Sequence, residues 1–354
     1  MTGSTINTRT DLIRYLEAAL ALEHATIPVY LTAYYSIRST TNSDAAHIIR
    51  VTAVEEMLHL CLVANVLNAV GGSPDLTRPG FVPSYPARLP DGEEDFIVDL
   101  RPFSPEAVDT FCKIERPRKA PDPESRLFSQ PTDNPMLVSC PTAEGMSFFS
   151  IGEFYEEIGA GIRRLATADP DLFCGDESRQ VGPEFFYSGG GAIIKVRDLD
   201  SACRALRFIS EQGEGLDNGL YDSDGELAHY YRFRQLQIGR YYQQGDHPDA
   251  PTGPKLGVDW DQTFNIKVSA RLTDYPAGSE LAAAAEAFNA DYGRFLALLT
   301  QAFNGEPNRM QEAIWWMFRL RDSFNRLIRN PLPGSDGLHA APTFEVNVPD
   351  PVTS

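Results

Sequence analysis

The apolar positions of this chain fall into long helical runs separated by proline- and glycine-rich breaks. Leu12, Leu16, Ala19, Leu20, Glu23 and Ile27 recur at spacings of three and four, which predicts a helix over about residues 11–37 with Thr10 as its cap. Pro28 cannot donate to the carbonyl of His24 and predicts a kink one turn beyond Glu23. A second helix is expected from Ser43 to a stop at Gly71-Gly72. The character then changes. Twelve of the 26 prolines lie between Pro79 and Pro141, so an irregular excursion is expected there, with a short extended piece near Phe96 and a short helix after Ser104.

Helical periodicity returns over about 150–168. A Gly189-Gly190-Gly191 turn and a short apolar strand over 192–196 lead into a fourth helix that starts near Asp200 and frays at Gly213 and Gly215. The pattern resumes over about 223–243, and two further helices are expected over about 279–303 and 307–329, joined at Asn304-Gly305. The chain reads as one domain over 1–354, with an irregular insertion at about 79–145 and extra helices at about 279–330.

Polar residues on these apolar stripes carry the chemistry. In the second helix Glu56 and His59 stand three apart and share one face with Thr52, Val63 and Val66, so that face points inward. An isolated buried charge is costly, and a metal ion would satisfy both side chains; an arginine partner and a hydrogen-bonded core histidine are the plainer alternative. Glu23 breaks the apolar stripe of the first helix. In a di-iron bundle, two helices give one glutamate each and two others give a Glu-x-x-His pair. Glu23 offers the first kind and Glu56 with His59 the second. Glu153, with Glu157 one turn on, is the candidate on the third helix, although Ser150 and Glu153 also form the S-x-x-E of a capping box. The second pair is open. His229 stands three after Glu226, but Ser223 and Glu226 again make a capping box, and Glu211 and Glu214 are alternative carboxylates where the helix breaks. His24 follows Glu23 on a different face and is expected to pack or orient. His47, His247 and His339 are expected at the surface.

Composition narrows the field. Forty-nine acidic against 31 basic residues give a formal charge of −18, which disfavours nucleic acid or an anionic membrane surface as partner. Five scattered cysteines without a CxxC spacing fit a reduced, cytoplasmic protein. No run of about 18 apolar residues predicts a membrane span. The glycine triplet lacks the spacing of a phosphate-binding loop, and no nucleophile elbow is present.

The stretches Leu22-Glu23-His24-Ala25-Thr26-Ile27-Pro28, Glu55-Glu56-Met57-Leu58-His59, Ile151-Gly152-Glu153-Phe154-Tyr155 and Glu211-Gln212-Gly213-Glu214-Gly215 resemble the ferritin-like domain of the iminophenyl-pyruvate dimer synthase family. The likeness continues through Phe288-Asn289 and Phe303-Asn304-Gly305 to Pro342-Thr343-Phe344. Members of that family include domains of enzymes that build violacein- and rebeccamycin-type bisindoles. The resemblance implies a mostly α fold, a ferritin-like four-helix bundle with long crossover insertions and additional C-terminal helices. It implies Glu23, Glu56, His59, Glu153, Glu214 and His229 as metal ligands, tipping Glu153 from cap to ligand and favouring Glu214 over Glu226. Glu214 and His229, 15 positions apart, depart from the usual spacing of three.

Carboxylates with imidazoles suit iron, or else manganese, better than metals that prefer thiolates. The expected function is a di-iron oxidoreductase that uses dioxygen on a small organic substrate in natural-product biosynthesis, as a homodimer. Tyr30, Tyr34, Phe154, Tyr155 and Tyr230 would line its pocket, and the proline-rich excursion would shape access as a lid or wall. The alternative is a ferritin-like metal-binding or partner protein without catalytic turnover.

Overall fold

The computed structural model describes residues 6–89, 96–117, 148, 150–186, 189–216 and 219–346. Much of the proline-rich excursion, and Cys140 with it, lies outside the described residues. Among the described residues eight α-helices follow in order: α1 (Arg9–Ser36), α2 (Ser43–Ala69), α3 (Pro105–Ile114), α4 (Ile151–Ala168), α5 (Leu199–Glu214), α6 (His229–Ile238), α7 (Glu280–Ala302) and α8 (Arg309–Ile328).

The chemistry of the termini explains where most of these helices start. Thr8, not Thr10, caps α1 through a capping box with Asp11. Ser104 caps α3, with Pro105 in its first turn, and Ser150, Asp198 and Ser279 cap α4, α5 and α7. Each side-chain cap contributes about 1 kcal/mol by satisfying an amide that has no partner inside the helix. Pro28 lies within a single uninterrupted helix.

Helices α1 and α2 form the central layer. Residues 18–30 of α1 and 58–69 of α2 are buried without a break, which is why neither segment shows a polar face in sequence. Helices α4 and α5 pack together and against α2 and α1 on one side, and the α7–α8 pair lies against α1 on another. The short α3 and α6 pack on each other and touch the central helices. Both α4 and α5 are one-sided, as covering helices should be.

Two expected elements differ. Residues 192–196 form no ladder among the described residues; the segment is tied down by side chains instead. Gln180 bonds both the amide and the carbonyl of Val196, and Asn65 donates to the carbonyls of Val181 and Ile194. The helix expected over 223–243 is shorter, because residues before His229 make a tight turn in which Tyr221 bridges Leu227 and Asp222 caps the amides of Asp224 and Glu226.

Candidate metal centre

Two groups of side chains converge between α1, α2 and the short helices: Glu23, Glu56 and His59, and Glu56, Glu115 and His229. All five residues are buried, with Glu56 common to both groups. Glu23 comes from the middle of α1, and Glu56 and His59 share one face of α2. Glu115 is the C-cap of α3, and His229 is the first residue of α6.

The distances show a shared carboxylate between two imidazoles. Glu56 Oε1 lies 3.5 Å from His59 Nδ1 and 3.0 Å from His229 Nδ1. Glu23 Oε2 is 3.4 Å from His59 Nδ1, and Glu115 Oε2 is 3.6 Å from His229 Nδ1. The imidazoles face each other with ring centroids 5.5 Å apart. Between them and α5 lies a cavity of about 20 Å³, lined by Glu23, Glu56, His59, Glu115 and Gly213 among others. Side-chain-free Gly213 keeps that space open.

Each ligand candidate is held by a partner behind it. His59 Nε2 bonds Gln212 Oε1 at 2.9 Å, and Gln212 Nε2 donates to the Gly190 carbonyl at 2.7 Å, which fixes Oε1 as the acceptor. His229 Nε2 bonds Glu55 Oε2 at 2.7 Å, and Arg232 bonds the same oxygen at 2.6 Å. Tyr155 donates to Glu23 Oε1 and Tyr30 to Glu115 Oε1. Thr26 donates to Glu56 Oε2 at 2.9 Å. In both imidazoles, therefore, Nε2 is occupied and Nδ1 is turned to the carboxylates. His229 Nδ1 has no hydrogen-bond partner of normal geometry among the described residues.

Without a metal the group holds surplus protons. Burial raises the Glu23 carboxyl to about 7, against the pull of His59. Burial disfavours a charged His59, but the carboxylates of Glu23 and Glu56 outweigh it and push its pKa up to about 10. His229 is likewise buried yet held well above its ordinary value by Glu115, Glu55 and Glu56. Burial and the Glu56 charge raise Glu115. Glu56 moves the other way: burial would raise it, but His229 and His59 bring it far below the usual carboxylate range. A buried cluster of three carboxylates and two imidazoles needs compensating positive charge, and metal cations in exchange for protons supply it. The donor set, oxygen-rich with two ring nitrogens, fits iron or manganese.

Of the residues expected as ligands, the structure brings together Glu23, Glu56, His59 and His229, and it does not bring Glu153 or Glu214 to either group. Glu153 stands half-buried in the first turn of α4, where the Ser150 hydroxyl caps its amide. Glu214 accepts from the Gly152 amide at 2.9 Å, so its carboxylate closes the start of α4. Glu226 is exposed and pairs with Arg232 at 2.9 Å, whereas Glu157 is 3.9 Å from Arg164. Sequence reasoning missed Glu115, which sits in the proline-rich excursion with no helical stripe to mark it, and Glu55, read only as a neighbour of Glu56. His24 is buried with its Nε2 2.8 Å from the Tyr292 hydroxyl, and burial drives its pKa down to about 3. His47 and His247 are exposed, whereas His339 is half-buried against Phe264. Of the aromatics expected in the pocket, Tyr30 and Tyr155 reach the cluster; Phe154 stacks on Tyr15, Tyr34 packs tilted against Tyr35, and Tyr230 meets Tyr231 edge to face.

Comparison with known proteins gives four findings. A family model described as Ferritin-like matches residues 16–238. Dichlorochromopyrrolate synthase of Lentzea aerocolonigenes is 28% identical over 98% of this chain and 37% of its own length. The 2-imino-3-(indol-3-yl)propanoate dimerase of Chromobacterium violaceum is 27% identical over 58% of this chain and 18% of its own length. The chain thus spans well under half the length of either relative. Among solved structures, a ferritin-like protein from Caulobacter vibrioides superposes with a TM-score of 0.61 at 22% identity, covering 95% of this chain and 98% of that one. At that identity the likeness is one of fold.

Proposed function

Because the chain belongs to the ferritin-like family, we propose that the two carboxylate–histidine groups hold a pair of metal ions, in first place iron, in an oxidoreductase that uses dioxygen on a small organic substrate. The observation that carries this reading is the shared Glu56: one oxygen of one carboxylate faces the inward nitrogens of two histidines, each backed by its own acceptor. Glu23 and His59 would bind on one side, Glu115 and His229 on the other, and Glu56 would serve both.

Iron, when bound, supplies a redox couple able to reduce dioxygen. The protein's own residues hold and neutralise. Gln212 and Glu55 orient the imidazoles, and the Glu55–Arg232 pair keeps a negative charge behind His229. Tyr155 and Tyr30 fix the outer carboxylates, and their hydroxyls are held protonated by burial and by the neighbouring Glu23 and Glu115 charges. The relatives are named a synthase and a dimerase, the latter for a 2-imino acid with an indole ring. An aromatic 2-imino acid is therefore the substrate class to try first, in a natural-product pathway.

The test is anaerobic addition of ferrous ion to metal-free protein, followed by dioxygen. Two metals per chain and oxygen uptake that depends on the imino acid support the reading; failure to retain any metal overturns it. The second reading, a metal-holding or partner protein without turnover, draws on the chain's covering only 37% of the synthase. Two metals bound with no substrate-dependent uptake would favour it.

A further inference from the structure

Helix α8 uses only one of its two sides within the chain. Its inner positions Met310, Ala313, Leu320, Phe324 and Leu327 are buried. Met310 and Ala313, with half-buried Ile314 and Met317, also close an apolar cavity of about 170 Å³, which His24 and Met57 line from α1 and α2. The outer positions Asn308, Gln311, Trp315, Phe318, Asp322 and Asn325 recur at spacings of three and four, and all but half-buried Asn325 are exposed. The middle of that outer stripe is aromatic.

Among the described residues Trp315 and Phe318 are the most exposed large apolar side chains, at 66% and 55%, and their ring centroids lie 5.9 Å apart. Ile97, Leu216, Ile238 and Val268 are exposed singly on separate segments, and lone surface apolar residues need no explanation. Trp316, next in sequence, is covered by the guanidinium groups of Arg319 and Arg294, 4.2 and 5.3 Å from its ring. Trp315 has no such cover. Aromatic side chains present about 150–250 Å² each, so this pair leaves roughly 250 Å² of ring surface open. The charges around it are split along the helix. Over residues 306–314 two glutamates outweigh one arginine, and over 319–329 four arginines outweigh one aspartate. An identical helix laid antiparallel would set each acidic half against a basic one and oppose the helix dipoles, whereas a parallel one would set arginine on arginine.

We propose that this face docks a second copy of the chain, with the two α8 helices antiparallel about a two-fold axis that passes between Trp315 and Phe318. In such a contact residue i meets j and j meets i. Seating Trp315 on the second copy's Phe318 therefore seats Gln311 against its Asp322 and Asn308 against its Asn325. The Gln311 amide can donate to that Asp322 carboxylate, which forms no ion pair or hydrogen bond within its own chain among the described residues. On the flank Glu312, 3.0 Å from Arg309 of its own chain, meets the second copy's Arg319. A stable interface covers about 800 Å² per partner, and the aromatic pair supplies roughly a third of that, so the dimer exchanges with monomer at micromolar concentration. The proposal gives the homodimer expected from the sequence a location, and it does not depend on what the carboxylate–histidine cluster binds.

Sedimentation equilibrium of the full chain should show a monomer–dimer exchange between about 1 and 100 µM. Trp315→Glu should weaken association at least roughly tenfold, the effect of losing an interface anchor, and should leave circular dichroism unchanged because the side chain is exposed. Gln311 tests the register. Gln311→Lys creates two symmetric ion pairs with Asp322 and should tighten the dimer roughly two- to tenfold, whereas Gln311→Glu should weaken it by a similar factor. In a parallel pairing Gln311 would face its own copy, and lysine there would repel. Gln311→Glu combined with Asp322→Lys should restore the parent affinity. A chain that stays monomeric to about 100 µM, a dimer indifferent to Trp315→Glu, or a Gln311→Lys variant that fails to tighten it would each overturn the assignment; the first would leave this face to a different protein.

Discussion

Glu55 Oε2 accepts from His229 Nε2 at 2.7 Å and from Arg232 at 2.6 Å, so one buried oxygen joins an inward-facing imidazole to a cation that reaches the surface at Glu226. Partners of this kind, one step behind a metal ligand, typically change metal affinity by about 10- to 100-fold. Glu55→Gln should therefore weaken metal binding by about that factor on the His229 side while sparing the His59 side. Chelator competition would register one tight and one weakened metal per chain; two equally tight metals would refute the role.

The mirror-image variant is Gln212→Ala. It removes the acceptor behind His59 and should weaken the other metal by a similar factor, about 10- to 100-fold. A Glu55→Gln, Gln212→Ala double variant should lose both metals, measured by elemental analysis after dialysis.

Glu115 and Glu153 separate the structural reading from the sequence expectation. Glu115→Ala should lower metal content by about half or more, because it removes a donor beside His229. Glu153→Ala should leave the metal content unchanged. His59→Ala should behave like Glu115→Ala with helicity intact.

The pH dependence has a definite sign. In metal-free protein His59 is raised to about 10 and Glu23 to about 7, so both hold protons near neutrality that a metal must displace. Metal affinity should rise as pH increases from about 6 to 9, with proton release measurable in weakly buffered solution. Without metal, the raised His59 pKa contributes stability that is fully present below its unfolded value of about 6.5 and lost as pH climbs through the folded value. Denaturant titrations of apo-protein at several pH values would show that slope, and metal should flatten it.

Gly190 has φ of +90°, and a Cβ there would come within 2.5 Å of Glu55 Cγ. Gly190→Ala combines a left-handed backbone with a collision against the residue behind His229. It should cost about 1–3 kcal/mol, read from the urea midpoint, and it should loosen the Gln212 hydrogen bond as well.

Most of the bundle could be read in the sequence because its long helices carry clear stripes and clear stops. The site was legible where a polar residue interrupts such a stripe: Glu23 stands out among leucines and alanines, and Glu56 with His59 repeats at one face. His229 was marked by its spacing from Glu226 and by the resemblance, although it opens a helix instead of lying within one. Glu115 could not be found this way. It caps a ten-residue helix inside a proline-rich region, and periodicity is silent at a cap. Glu153 and Glu214 lie at helix ends, outside both groups. The Glu214 carboxylate accepts from the Gly152 amide and the Ser150 hydroxyl from that of Glu153, and the pattern of letters does not distinguish such a helix start from a ligand. The glycine triplet was read as a turn; that Gly190 also braces the backs of Glu55 and Gln212 became visible only in three dimensions.

Glu23 and His24 are adjacent along α1, as are Glu56 and Met57 along α2, and in each pair the first residue faces the acidic cluster while the second faces the oily chamber. A helix turns roughly 100° per residue. Adding or deleting one residue upstream in either helix would swing an apolar or neutral side chain into the place of a carboxylate, and the reverse. The central layer thus carries two reading frames of chemistry that cannot drift independently, and Tyr155 of α4 and Gln212 of α5 tie the covering layer to the same cluster.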